Sequence, residues 1–166
     1  SIAMWVIFNE GWGQFDAQRM LGLVRSLDGS RTIDPTSGWY DQKIGGFSSR
    51  HVYFKAYRHT PDPLGRVVIL SEFGGYAYRE EGHDDQEEIF GYKKFFDRKA
   101  FADAFFDLYA DQVVPAKQKG LAASVYTQFS DVQQELNGLV TFDRLSVKID
   151  EVIALQVAAL LLGAQE

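Results

Sequence analysis

The chain has 166 residues, enough for one domain with a sizeable core, and 46% of them are hydrophobic, a globular rather than a disordered composition. A net charge of −6 argues against a nucleic-acid partner, which selects for a basic patch, and the lack of cysteine excludes a disulfide framework and thiol chemistry. No stretch reads as a secretory leader or lipid anchor, and the most apolar run, 152–162, is shorter than the roughly 20 residues of a membrane span, so the expected setting is the cytoplasm, with no membrane partner.

Residues 2–8 read as a first strand, apolar up to Phe8 and polar from Asn9 and Glu10. Ser1-Ile2-Ala3-Met4 runs straight into it, so the chain is expected to begin inside a larger fold. Residues 15–27 have near-helical apolar spacing, with Asp16 favouring the helix start. A short second strand follows at 31–35, then the loop 36–41 and a glycine-rich connector at 44–47. Residues 50–57 read as the third strand and 66–70 as the fourth, separated by Pro61, Pro63 and Gly65, which forbid a helix. The segment 79–92 is acidic and irregular, and its length and His83 make it a candidate lid; its run 80–88 is otherwise a solvated acidic loop. A helix is expected over 99–119, kinked in its last turn by Pro115 and stopped by Gly120. A fifth strand at 121–127, a polar loop at 128–144 and an apolar helix at 147–162 complete the chain. Long connections after strands predict a parallel α/β sheet or barrel, incompletely covered by this chain alone.

Two stretches share one plan. In WVIFNEGWGQFD (5–16) and VVILSEFGGY (67–76), an apolar run ends in a glutamate, Glu10 or Glu72, followed by glycines. α/β folds place their ligands at the C-terminal ends of their strands, and glycoside hydrolysis needs two carboxylates there. The bland alternative is a pair of surface glutamates. His51 and Tyr53 alternate with Val52 and so share one face of a strand, pointing inward or half-buried. Trp12 and Trp39 are either sugar platforms or core, and Asn9 is either a substrate contact or a turn residue. Gln128, Asp131, Glu135 and Asn137 are either substrate contacts or a solvated loop. His51, His59 and His83 lack the spacing of a metal site, so no catalytic metal and no cofactor are expected.

These stretches, with TSGWYD (36–41), HVYF (51–54), EGH (81–83) and YTQFSDVQQELNGLVTFDR (126–144), resemble family 2 of the glycoside hydrolases, the β-galactosidase and β-glucuronidase group. The match runs through nearly the whole chain in the family's order. It implies one domain, a partial TIM-type (β/α) barrel holding strands four to eight of eight. The first three barrel strands and the β-sandwich domains before them have no counterpart, and a whole barrel takes about 250 residues. The resemblance implies a retaining mechanism, with Glu72 as nucleophile and Glu10 as acid/base. Asn9 would bond the hydroxyl beside the reacting carbon, Tyr53 would orient Glu72, and Tyr126 would stand where related barrels carry a tryptophan. The expected function is a retaining, exo-acting β-glycosidase on terminal β-linked sugars. The alternatives are a non-catalytic carbohydrate-binding remnant, or a fragment needing a complementing barrel segment. Open strand edges predict self-association or pairing with such a segment.

Overall fold

The computed structural model describes residues 1–85 and 87–163. In chain order the elements are β1 (Met4–Val6), α1 (Ala17–Leu27), β2 (Thr32–Asp34), β3 (Phe47–Val52), β4 (Val67–Gly74), β5 (Tyr76–Tyr78) and β6 (Lys93–Phe95). Then come α2 (Arg98–Leu108), a π-helical turn (Tyr109–Val113), α3 (Val114–Gln118), β7 (Ala123–Thr127) and α4 (Glu151–Leu162). Every strand pairing is parallel, so the mixed α/β class read from the sequence holds. The strands form three small open sheets rather than one, β1-β2, β3-β4-β7 and β5-β6, and no ladder joins β2 to β3 among the described residues.

The core lies on the helical side of the central sheet. Val68, Leu70 and Phe73 of β4 pack against Phe101, Phe105 and Leu108 of α2 and Tyr109 and Val113 of the π turn, with Val157 of α4 closing one end. Helix α2 starts where it does because the Asp97 carboxylate accepts the Ala100 N–H at 2.8 Å. Its expected continuation to residue 119 is interrupted. Pro115 lacks an N–H and its ring crowds the carbonyl one turn back, and the turn before it widens to i→i+5 geometry. Around β1-β2 the packing is thinner: α1 buries only Ala17 and Leu21.

Beyond trims of a residue or two at the ends of β1, α1, β2 and β7, several boundaries differ from expectation. β3 begins at Phe47 and ends at Val52 rather than covering 50–57, because Ser48 and Ser49 are strand residues despite their polarity, and both are buried. β4 runs on past Leu70 to Gly74 through a register shift between Leu70 and Phe73. β5 and β6 form at the two ends of the expected irregular loop, whose residue 86 lies outside the described residues. The last helix starts at Glu151 rather than Val147, because Lys148 is pulled inward to Asp131 and to the Tyr78 and Leu136 carbonyls.

Candidate active site

Glu10 is held by the backbone around it. Beyond β1 the chain still runs beside β2: Ser37 N–H donates to Phe8 O, Glu10 N–H donates to Ser37 O, and Asn9 bridges Ser37. The chain then turns sharply at Glu10 itself, at φ 52°, a conformation that costs energy for any residue but glycine. Glu72 is placed by the irregularities of the central sheet. The shifts between Arg50 and His51 and between Leu70 and Phe73 bring His51 directly opposite Glu72. A bulge of this kind re-aims side chains, here keeping Phe73 in the helical core while Glu72 leaves it.

His51 joins the two carboxylates. Its Nδ1 stands 2.7 Å from Glu10 Oε1 and 3.3 Å from Glu72 Oε2, and its side chain is fully buried. One oxygen of each glutamate and one histidine nitrogen all lie within 4.8 Å of one another. Gly38, at φ +87°, is what lets the loop lie this close: a Cβ there would stand 2.7 Å from His51 Nδ1. On the other side, the Tyr53 hydroxyl donates to Glu72 Oε2 at 2.5 Å and lies 2.9 Å from Thr127 Oγ1. Burial, and then the Glu72 contact, push the Tyr53 phenol far above its ordinary pKa, so it stays a donor. Tyr92 stacks on Tyr53 at 3.9 Å, and burial followed by the charges of Glu10 and Glu72 raises its phenol too.

Beneath the carboxylates lies a buried polar chain. His51 Nε2 is 3.0 Å from Ser37 Oγ, which is 3.0 Å from Ser49 Oγ, which in turn is 2.5 Å from Ser71 Oγ. Asp34 sits against the same serines. Burial is the leading cause that raises its pKa, the neighbouring serines and the charge of His51 oppose the shift, and its Oδ2 has no hydrogen-bond partner among the described residues.

Two cavities open beside this cluster. One, of about 340 Å³, is lined by Glu10, Gly11, Trp12, Gly13, Trp39 and Tyr40. The other, of about 460 Å³, runs past Trp39, His51, Tyr53 and Phe54. Trp12 is 81% and Trp39 53% exposed, which sets aside the core reading for both. Trp39 is fixed by its indole N–H, which donates to His51 O at 3.1 Å.

Of the residues expected at a site, Glu10, Glu72, His51 and Tyr53 meet, Trp12 and Trp39 border them, and the exposed Asn9 is placed only by its backbone bridge to Ser37. Tyr126 does not join them. It packs edge-on against Phe73 and Phe105 with its hydroxyl buried, and the next residue, Thr127, reaches the cluster instead. Alternation along β7 decides this. Gln128 braces its own loop, donating to Asn137 Oδ1 at 2.8 Å. Asp131 and Asn137 are buried rather than open to a ligand, and Glu135 stands 3.4 Å from Gln128 Nε2. His83 of the candidate lid contacts Asp143 at 2.9 Å, tying the segment to the following loop. The sequence reading missed Asp34, Ser37, Ser49, Tyr92 and Thr127. The available signal was small polar residues inside strands, at Ser49 and Thr127.

Glu10, His51 and Glu72 could be read as cation ligands, but the contact between the first two argues otherwise. Ligands about 2.1 Å from a tetrahedral ion stand about 3.4 Å apart, whereas 2.7 Å is the separation of two atoms sharing a proton. Among the described residues no helix is long and apolar enough to cross a membrane. No family model matches the chain, and no curated protein matches it significantly.

Proposed function

We propose that this chain carries the catalytic pair of a retaining β-glycosidase acting on terminal β-linked sugars, of the β-galactosidase-like family-2 type. The observation that carries the reading is the approach of Glu10 and Glu72, with an oxygen of each inside a 4.8 Å cluster. Retaining enzymes hold their carboxyl groups about 5–5.5 Å apart, and inverting ones leave about 6.5–9.5 Å for a water. Glu72 attacks the anomeric carbon while Glu10 gives its proton to the leaving oxygen. Glu10 then takes a proton from water, which displaces Glu72 from the sugar. Tyr53 holds one Glu72 oxygen, so the other is free to attack. Asn9 meets the hydroxyl beside the reacting carbon, Gln128 borders the sugar through its loop, and Trp12 and Trp39 supply flat apolar walls for sugar rings. No cofactor takes part.

The fold reading that accompanies this is a partial (β/α) barrel, with β1, β2, β3, β4 and β7 as strands four to eight. Parallel pairing in chain order and glutamates at the same strand ends support it. A second reading is favoured by the exposed Val6 and Val125 on the two outermost strands: a fragment that binds sugar but needs a complementing segment to turn it over. Nitrophenyl β-glycosides separate the two. Turnover by the chain alone that disappears in Glu72→Ala supports the first reading. Sugar binding without turnover, across a full panel of sugars, rejects it for the isolated chain.

A further inference from the structure

Tyr53 lies one residue beyond β3, past the end of its ladder, and Phe54, Lys55 and Ala56 after it are exposed. Among the described residues the backbone is next anchored at Tyr57, whose N–H donates to Gln112 Oε1 at 2.6 Å. On so bare a segment a tyrosine keeps its direction only if its ring is held. Tyr92 holds it. The two rings stack at 3.9 Å between centroids and 6° between planes, and Tyr92 also meets Phe54 edge-on at 5.0 Å. Tyr92 is itself fixed from two sides. Its N–H donates to Gly75 O at 3.0 Å, and Phe90, whose N–H donates to Gln134 O at 2.7 Å, packs edge-on against it at 5.7 Å. Gly75 is the centre of the arrangement. Both rings fill the place of its missing side chain: a Cβ there would stand 2.4 Å from Tyr92 Cδ2 and 3.3 Å from Tyr53 Cδ1. The Gly75 N–H donates to Thr127 O at 2.9 Å, and the Thr127 hydroxyl is the second partner of the Tyr53 hydroxyl.

We propose that Tyr92 is a positioning residue: its ring face holds Tyr53 so that the Tyr53 hydroxyl stays on Glu72 Oε2 and the other Glu72 oxygen stays aimed at the sugar. The proposal rests on the glycosidase reading for its purpose, but not for its placement of Tyr53. The Tyr92 hydroxyl makes no hydrogen bond among the described residues, so the ring carries the effect. Without that ring Tyr53 is free to turn out over the exposed segment, and Glu72 loses its 2.5 Å contact. Displacing a reacting group by about 1 Å costs on the order of 100-fold in rate.

The test is the ¹³C signal of the Tyr53 ring carbon that bears the hydroxyl, taken on the whole chain in mixed light and heavy water and assigned from Tyr53→Phe. A hydroxyl held in a hydrogen bond exchanges slowly and splits this signal in two, whereas a freely turning one gives a single line. The wild type and Tyr92→Phe, which keeps the ring, are expected to show the split signal, and Tyr92→Ala the single line. If Tyr92→Ala does not fold, Tyr92→Leu, which fills the space without a flat face, takes its place. On a nitrophenyl β-glycoside the same variant is expected to lose about 10–100-fold in kcat with KM little changed, and Tyr92→Phe to recover that loss. A single line in the wild type, a split signal in Tyr92→Ala or Tyr92→Leu, or a raised KM in Tyr92→Phe overturns the proposal. Because the spectrum needs no turnover, an inactive chain with the expected signals would count against the glycosidase reading while leaving the placement of Tyr53 by Tyr92 standing.

Discussion

Lys148 and Asp131 form a buried ion pair that ties the loop after β7 to β5. The lysine has no exposed surface, and its ammonium donates to Asp131 Oδ1 and the Tyr78 carbonyl, each at 2.7 Å, and to the Leu136 carbonyl at 3.1 Å. Asp131 also accepts the Gly138 N–H, so one pair gathers β5 and both arms of the loop after β7. Burial is the leading cause of both shifts, raising the carboxyl pKa and lowering the ammonium pKa. The signs agree. Stability from Asp131 is lost as pH rises through its folded pKa, and stability from Lys148 is lost as pH falls through its own. The charged pair is therefore least favourable at mid pH, where both groups are ionised in the unfolded chain. Removing one partner leaves a buried charge unpaired, so Lys148→Met is expected to cost about 3–5 kcal/mol. Replacing both, as Asp131→Leu with Lys148→Met, is expected to recover most of that loss. Urea titrations at neutral pH measure both. A double variant no more stable than the single would show that the pair contributes beyond compensating its own burial.

At the scale of elements, legibility followed periodicity. Helix α2 was readable because Phe101, Phe105 and Leu108 recur on one face, and α1 for the same reason on a smaller scale. The apolar parts of β1 and β4 were readable as buried runs ending in glutamate. Beyond them periodicity fails. Ser48 and Ser49 look like a turn, yet they are buried in β3, and Ser49 is polar because it faces the hydrogen-bonded interior rather than the helices. The register shift in β4 cannot be read locally, since it depends on the pairing with β7. Tyr126 and Thr127 show the same limit: the strand was expected, but which of the two faces the glutamates is fixed by a one-residue phase. The close approach of Glu10 and Glu72 was legible as chemistry, through two glutamates at strand ends. Its underlying support, Ser37 with Ser49 and Ser71 beneath His51, was not, because isolated serines carry no periodic signal.

On the whole molecule, apolar surface is left over. Val6 on β1 and Val125 on β7, both edge strands of their sheets, are exposed, as are Val152, Leu155 and Leu162 of α4, an apolar helix with a single buried residue, Val157. The partial-barrel reading therefore predicts association, most simply as a symmetric dimer, or pairing with a segment carrying further strands. Light scattering of the purified chain at micromolar concentration is expected to give more than one chain per particle, and a clean monomer with cooperative unfolding would contradict that.

The proposed reaction joins the sugar to Glu72 in a covalent intermediate, with Glu10 as acid/base. Incubation with a slow 2-fluoro β-glycoside, followed by digestion and mass spectrometry, finds the nucleophile. The label is expected on Glu72, absent in Glu72→Ala and retained in Glu10→Ala when the leaving group is activated, since only a poor leaving group needs the Glu10 proton. Labelling at any other residue, or turnover that inverts the anomeric configuration, would contradict the account.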